Sequence, residues 1–309
     1  MTGVTKKLAL LLPLLAGTCW GCCGGFVRVL DEAGFNNITI TFSRVIIIVI
    51  LLGIFTFFRD KSLFRIELRQ LPILILVGLS GQFFFNLCYN ISILELSLSL
   101  ATIMLCTAPV FVIIFSSILF KEKITPTRVI CMFGVLAGCI LLSGVVESGG
   151  LMWSVLGLAM GVATSICNAA VTMSTNEAAD IRKIPVLTIQ FYAALFALIP
   201  MLPFVDYSTL GDFIVSSPET NIPYLIAYAL IAALIPNLVF SIAFIFNDAS
   251  IVSILASGAE PTSALILGLL MFGEVPTIFG IIGMVLVIGS IIVLSRSNAS
   301  NKTEVTSHS

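Results

Sequence analysis

Two charged residues lie inside long apolar stretches of the chain, where a charge is costly. Arg44 lies within the stretch Asn36–Phe58, and Glu260 lies near the middle of Ala249–Met271, directly before Pro261. A charged side chain at the centre of a membrane helix costs about 2.5–3.5 kcal/mol on insertion scales. A carboxyl there can exchange a proton or pair with a base, and we expect Glu260 to exchange a proton or to pair with Arg44 in one conformation. The alternatives are a permanent hydrogen bond from Glu260 to a neighbouring helix, and a purely structural anchoring role for Arg44.

A second set of polar residues recurs at helical spacing within the apolar stretches. Asn86, Tyr89 and Asn90 share one face of a helix because they are three and four residues apart. Later stretches repeat the pattern with Asn168 and Thr172, Gln190, and Asn237 and Ser241. Unpaired amides in hydrocarbon are costly, so these faces must turn inward. They predict either the lining of a polar cavity or interhelical hydrogen bonds, which are worth only about 0.6 kcal/mol each on average.

The residue patterns of an enzyme or a nucleotide-driven pump are missing. The sequence contains no G-x-x-x-x-G-K-[ST] loop for nucleotide phosphates, no H-E-x-x-H zinc motif, and a single histidine, His308. The eight cysteines lie in apolar stretches, where free cysteine packs as a small hydrophobe. We therefore expect no enzymatic activity, no cofactor and no metal site.

The elements that must position these residues are membrane-spanning helices. Hydrophobic residues make up 59% of the chain and charged residues 10%, and the mean hydropathy is +1.15. A spanning helix needs about 20 mainly apolar residues. Ten stretches qualify: Leu8–Leu30, Asn36–Phe58, Leu71–Leu94, Ser97–Leu119, Thr125–Val146, Leu151–Thr175, Ile184–Val205, Asn221–Phe246, Ala249–Met271 and Pro276–Leu294. We expect the first stretch to be a retained helix and not a cleaved signal peptide, because it has no convincing cleavage site.

The lysines and arginines predict how the chain crosses the membrane. If the N-terminus is cytoplasmic, all but Arg28 and Arg44 of the 15 Lys and Arg residues fall in cytoplasmic segments. The positive-inside rule then places both termini in the cytoplasm of a multi-pass protein of the cell membrane. The sequence contains no cluster of basic residues that could bind a nucleic-acid backbone, so we expect no nucleic-acid partner.

The chain contains two related halves. A shift of 152 residues aligns Ser97–Ser143 with Ala249–Ser295, and this alignment places Pro109 on Pro261. Each half holds five spans, and an odd number inserts the second copy upside down, which gives an inverted repeat. We expect residues 8–146 and 151–295 to form the halves and residues 296–309 a polar cytoplasmic tail without fixed structure. Both prolines are candidate kinks, since a mid-helix proline removes a hydrogen bond, and they mark either a midplane site or simple structural bends.

The chain resembles the EamA-type carriers of the drug/metabolite transporter superfamily over almost its whole length. The residues that carry the resemblance are Trp20-Gly21, Ser43-Arg44, Ala108-Pro109, Phe120-Lys121-Glu122, Gln190, Glu260-Pro261 and Phe272-Gly273-Glu274. Lys121 departs from the pattern, because the family often has glycine there. The resemblance implies an all-α membrane protein of ten helices in two inverted five-helix repeats, with a central cavity and a secondary transport function.

We therefore expect a secondary active transporter of small polar or amphipathic metabolites, working by alternating access. The resemblance favours export of amino acids or related compounds; a passive channel or facilitator and a nucleotide-sugar-type exchanger are the alternatives. The candidate substrate or coupling residues are Trp20, Arg44, Asn86, Tyr89, Asn90, Asn168, Gln190, Asn237 and Glu260, with Pro109 and Pro261 as hinges. A small-molecule substrate and the lipid bilayer are the expected partners, protons are the candidate coupling ion, and the sequence is compatible with a homodimer.

Overall fold

The computed structural model describes residues 3–59, 61–96, 98–121, 124–142, 154–272 and 277–307. Within these ranges all regular structure is helical. Seven segments are long and apolar enough to cross a membrane, and three shorter apolar helices cover Ile103–Leu119, Pro126–Leu142 and Ile278–Leu294. Together they correspond to the ten predicted spans, so the predicted all-α membrane fold is confirmed. Glu122 and Glu274, two residues of the family pattern, lie outside the described residues.

The first five spans form the first half of the bundle, and breaks divide several of them. Span 1 is Gly3–Gly21 and Cys23–Glu32, span 2 is Asn37–Arg59, and span 3 is Leu71–Gly78, a π-helical turn Leu79–Phe84, and Phe85–Glu95. Span 4 is Leu98–Cys106 and Ala108–Leu119, and span 5 is Pro126–Leu142.

The second half repeats this order. Span 6 is Val155–Asn176 followed by the π-helical turn Glu177–Ile181, and span 7 is Val186–Met201. A short helix, Tyr207–Ser216, leads into span 8, which is Pro218–Ala229, the π-helical turn Leu230–Leu234, and Ile235–Phe246. Span 9 is Ala249–Phe272 and span 10 is Ile278–Ser307. The last helix thus continues through the predicted tail, and the expectation of a tail without fixed structure is wrong for the backbone up to Ser307.

The packing of the spans has the symmetry of an inverted repeat. Span 1 packs against spans 8 and 9, and its counterpart, span 6, packs against spans 3 and 4. Span 2 packs on span 7, and span 5 packs on span 10. These contacts recur when every span number is shifted by five, so the two halves use the same surfaces on each other.

The helix backbone differs around the two prolines that align between the halves. Span 4 is interrupted at Thr107, and Pro109 lies in the first turn of the helix that follows. The Thr107 hydroxyl bonds the Met104 carbonyl at 2.6 Å, and the Ser165 hydroxyl of span 6 bonds the same oxygen. Span 9, in contrast, runs through Pro261 as one helix. The sequence match therefore corresponds to a break in one half and a continuous helix in the other.

Contacts between the halves close the end of the bundle at which span 1 begins, here called the N-terminal end. Arg128 at the start of span 5 forms an ion pair with Asp248, between spans 8 and 9. The Arg128 guanidinium also donates to the Ser250 hydroxyl at 3.0 Å, and the Asn247 amide donates to the Ala9 carbonyl at 3.1 Å. Spans 1, 5, 8 and 9 are thereby joined at this end.

Candidate functional site

Spans 1 and 9 touch backbone to backbone beside Glu260. A Cβ atom at Gly17 would lie 2.5 Å from the carbonyl oxygen of Ala256, and one at Gly21 would lie 2.5 Å from the carbonyl oxygen of Glu260. Gly24 follows about one turn later, and no atom would lie within 4 Å of a Cβ there. Gly24 is exposed, so the close contact between the two spans does not extend to it.

The Glu260 carboxyl lies in this region without a bonding partner. Protein surrounds the side chain, yet part of its surface stays open. Within the part of the chain that the structure describes, the carboxyl makes no hydrogen bond and no ion pair. The thiols of Cys23 and Cys106 lie close enough to the carboxyl to interact with its charge. Directly after it, Pro261 leaves the Ser257 carbonyl without its helical donor, and the Cys139 thiol lies 4.0 Å from that oxygen.

Arg44 in span 2 is enclosed by neutral groups. Its Nη1 atom lies 3.7 Å from the Cys23 sulfur, and its Nη2 atom lies 3.4 Å from the Gln82 side-chain oxygen. The guanidinium carbon lies 5.9 Å from the centre of the Tyr228 ring, a cation–π distance. The Arg44 Nε atom is buried and has no hydrogen-bond partner. No carboxylate among the described residues pairs with this guanidinium, so the hypothesised Arg44–Glu260 pair is not formed in this conformation.

The π-helical turn of span 3 presents Gln82 to Arg44. A π-helical turn contains one residue more than an α-helical turn, and such turns are frequent at functional sites. The Asn86 amide donates to the Gln82 backbone carbonyl at 2.5 Å, so Asn86 stabilises the backbone of this turn. Tyr89 stacks on Phe85 with ring centres 5.9 Å apart. The polar face predicted on span 3 is thus divided between local backbone support and aromatic packing, while Asn90 is half-buried.

Gln190 joins spans 7 and 8. Its amide nitrogen donates to the Ser241 hydroxyl at 2.8 Å and to the backbone carbonyl of Asn237 at 3.3 Å. Gln190 is buried, and these are the interhelical bonds that the sequence offered as the alternative to cavity lining. The side chains of Asn237 and Asn168 are half-buried and take no part in the hydrogen bonds of Gln190.

Trp20 packs beside the same group of helices. Its ring meets Phe240 of span 8 edge to face, with centres 5.0 Å apart. Phe240 in turn contacts Phe244, with ring centres 4.7 Å apart. Trp20 is therefore part of an aromatic contact between spans 1 and 8.

Three residues of the Arg44 environment were missed as site candidates from the sequence. Cys23 was interpreted as packing, and Gln82 and Tyr228 were not singled out. Gln82 carries a signal that could have found it, because it precedes Asn86 by one helical turn on the same face. Tyr228 carries no comparable signal, since only the packing of span 8 against span 2 brings it to Arg44.

The EamA-like transporter family profile matches residues 7–144 and 155–296, one match in each half of the bundle. The chain belongs to the EamA-like transporter family. An uncharacterized transporter of Bacillus subtilis, YdfC, is 25% identical over 244 residues, which are 78% of this chain and 76% of YdfC. An uncharacterized transporter of Helicobacter pylori is 28% identical over 156 residues, which are 50% of this chain and 51% of the relative.

A solved structure supports the same fold for this EamA-like transporter. It is described only as the crystal structure of a protein, and it superposes with a TM-score of 0.72 at 16% sequence identity. The superposition covers 94% of this chain and 99% of the other.

The arrangement in this EamA-like protein places a deep guanidinium and a deep carboxyl near one cysteine. Arg44 belongs to the first repeat and Glu260 to the second, and Cys23 lies near both. Among the described residues, no three histidine, cysteine, aspartate or glutamate side chains gather as metal ligands. The chemistry that these residues offer is therefore ionic: a carboxyl that can take up a proton, and a guanidinium that can hold an anion.

Proposed function

We propose that this EamA-like transporter is a secondary active, proton-coupled exporter of small polar or amphipathic metabolites, with Glu260 as the proton-binding residue. The observation that carries the proposal is the position of the Glu260 carboxyl. It lies deep in span 9, beside the close backbone contact of spans 1 and 9, and no described side chain bonds it.

The proposal follows from the cost of this carboxyl as an ion. An isolated carboxylate removed from water is strongly unfavourable, and the protein supplies Glu260 with no cation or hydrogen-bond donor among the described residues. A proton taken up from one side of the membrane satisfies the carboxyl while it is enclosed, and a change of access can then release that proton on the other side. The two inverted repeats supply the two halves that alternating access requires.

Amino acids or related compounds are the substrate class that the family resemblance favours. The positive-inside distribution of lysine and arginine supports a cell-membrane protein with both termini in the cytoplasm.

The experiment uses the full chain in proteoliposomes. A panel of radiolabelled amino acids is tested for flux with and without a pH gradient, and substrate exchange is measured at equal pH on both sides. We expect Glu260→Gln, which keeps the shape but cannot ionise, to abolish the response to the gradient while exchange continues. Glu219→Gln is the control, because Glu219 is exposed in the first turn of span 8.

Two results would contradict the proposal. If Glu260→Gln retained the gradient response of the wild-type protein, Glu260 would not be the proton-binding residue. If wild-type flux were indifferent to the gradient, the protein would be a passive facilitator.

A further inference from the structure

The Arg44 guanidinium is a buried cation whose hydrogen-bonding capacity is largely unused. A guanidinium has five N–H donors in a planar fork. In this protein the donors meet a sulfur at 3.7 Å and an amide oxygen at 3.4 Å, and Nε–H has no acceptor at all. Neither contact is a short hydrogen bond. A buried cation without an anion is costly, so this arrangement requires a compensating group.

We infer that Arg44, together with Gln82 and Tyr228, forms a subsite for the carboxylate group of the transported solute. This inference rests on the proposed transport function, which it deepens by naming the substrate class as organic carboxylates. A carboxylate matches a guanidinium edge with two parallel hydrogen bonds, and such pairs are stronger than bonds between neutral groups. The edge formed by Nε and Nη2 is the one that lacks a close acceptor, because Nε is unpaired and Nη2 has only the long contact with Gln82.

Cys23 connects the position of the subsite with Glu260. Protein encloses the Arg44 side chain, yet part of its surface stays open. Cys23 contacts the guanidinium and also lies close enough to Glu260 to interact with its charge. A carboxylate at Arg44 would therefore lie near the thiol that also neighbours Glu260.

The surroundings favour a monovalent carboxylate over a larger anion. Arg44 is the one described cation of this cluster, and Gln82, Cys23 and Tyr228 add no positive charge. The Tyr228 ring lies over the guanidinium, 5.9 Å from its carbon, and a planar acceptor bonds a guanidinium at its edge and not at its face. A planar carboxylate with one charge matches both features.

The test is a binding measurement on the purified full-length protein in detergent. The probes are acetate, propionate, butyrate and 3-phenylpropionate, each compared with its primary amide. We expect at least one acid to bind tenfold or more tightly than its amide. The variant Gln82→Glu places a carboxylate of the protein itself next to Nη2, and we expect it to weaken binding of that acid at least tenfold without lowering the melting temperature of the empty protein.

Two further variants complete the test. Arg44→Lys keeps the charge but loses the planar pair of donors, and we expect it to weaken binding of the acid at least fivefold. Gln70→Glu makes the same charge change in the loop before span 3 and should leave the affinity unchanged. If Gln82→Glu bound the acid with the affinity of the wild-type protein, the proposed subsite would be wrong. It would also be wrong if no acid bound more tightly than its amide.

These outcomes are separate from those of the transport experiment. Gradient-driven flux of solutes without a carboxylate, with no acid binding, would refute the subsite and leave the transport function standing. Acid binding that Gln82→Glu removes, in a protein whose flux ignores Glu260→Gln, would support the subsite and refute the proton coupling.

Discussion

The contact between spans 1 and 9 leads to a prediction about Gly17. A Cβ atom there would lie 2.5 Å from the Ala256 carbonyl oxygen, 3.2 Å from its carbonyl carbon and 2.8 Å from the Ala259 Cβ atom. These neighbours are backbone atoms and a Cβ, which cannot rotate away as the end of a long side chain could. Gly17→Ala therefore requires the two helices to move apart.

The size of the effect follows from these distances. Ordinary contact begins at 3.4 Å, so a neighbour at 2.5 Å must retreat by the difference, 0.9 Å. Overpacking of this kind costs about 1–3 kcal/mol. Alanine also gains up to about 1 kcal/mol of helix propensity over glycine, which would partly mask the cost. Gly24→Ala isolates that gain, because an added Cβ at Gly24 meets no atom within 4 Å.

The assay is reversible unfolding of each full-length variant in mixed micelles. We expect Gly17→Ala to be less stable than Gly24→Ala by about 1–3 kcal/mol, which is a factor of about 5 to 150 in the unfolding equilibrium constant. Equal stabilities of the two variants would show that spans 1 and 9 are not packed backbone to backbone.

Two further predictions concern the ends of the bundle. Hydrogen bonds from the Thr209 hydroxyl and backbone N–H hold the pKa of the Asp206 carboxyl below its ordinary value. The carboxylate thus stabilises the helix Tyr207–Ser216 at pH values above its unfolded-state pKa, and this contribution is lost as the pH falls through the lower folded-state pKa. The melting temperature of Asp206→Ala should therefore lie below that of the wild type at pH 7, and the difference should disappear only below about pH 4. Closure of the gap between pH 7 and pH 5 would contradict this. At the other end, Arg128→Gln should cost about 1–3 kcal/mol, because the Arg128 side chain is only 12% exposed and Asp248 38%. The double variant with Asp248→Asn should lose less than the sum of the single losses in a double-mutant cycle, and additive losses would refute the coupling.

The spans and their arrangement could be predicted from the sequence because the bilayer permits few solutions. Backbone polar groups must bond within each segment, so long apolar stretches become helices. Five spans per half then force the second half to be inverted, and the packing of spans 1 and 6 on equivalent partners agrees with this. These conclusions need only hydropathy and the count of segments.

The interruptions could not be predicted, because they depend on contacts between distant parts of the chain. Thr107 can end a helix in span 4 because Ser165 of span 6 supplies a donor to the Met104 carbonyl. The aligned Pro261 has no such break, although its sequence setting is similar. A proline match therefore fixes where a hydrogen bond is lost, but the neighbouring helices decide how the backbone responds.

In the candidate site, too, the sequence reveals some residues, while others depend on contacts between distant helices. Arg44 and Glu260 could be found because each is expensive at its depth. Gln190 was found for the same reason, but its amide bonds Ser241 and the Asn237 carbonyl, so it joins two helices. Periodicity predicts which residues face inward. It does not predict which inward-facing residues find partners, and Tyr228 reaches Arg44 only through the packing of span 8 on span 2.

The separation of the two deep charges bears directly on how the protein could work. If Arg44 and Glu260 formed a permanent ion pair, each would satisfy the other, and neither would have capacity for a proton or a solute. In this structure Arg44 contacts Cys23 and Gln82, and no described residue bonds the Glu260 carboxyl. The two groups belong to opposite repeats, so relative motion of the repeats changes the distance between them. A carrier needs its charged groups unsatisfied by the protein alone in the open state, because only then do the proton and the solute supply free energy for closing.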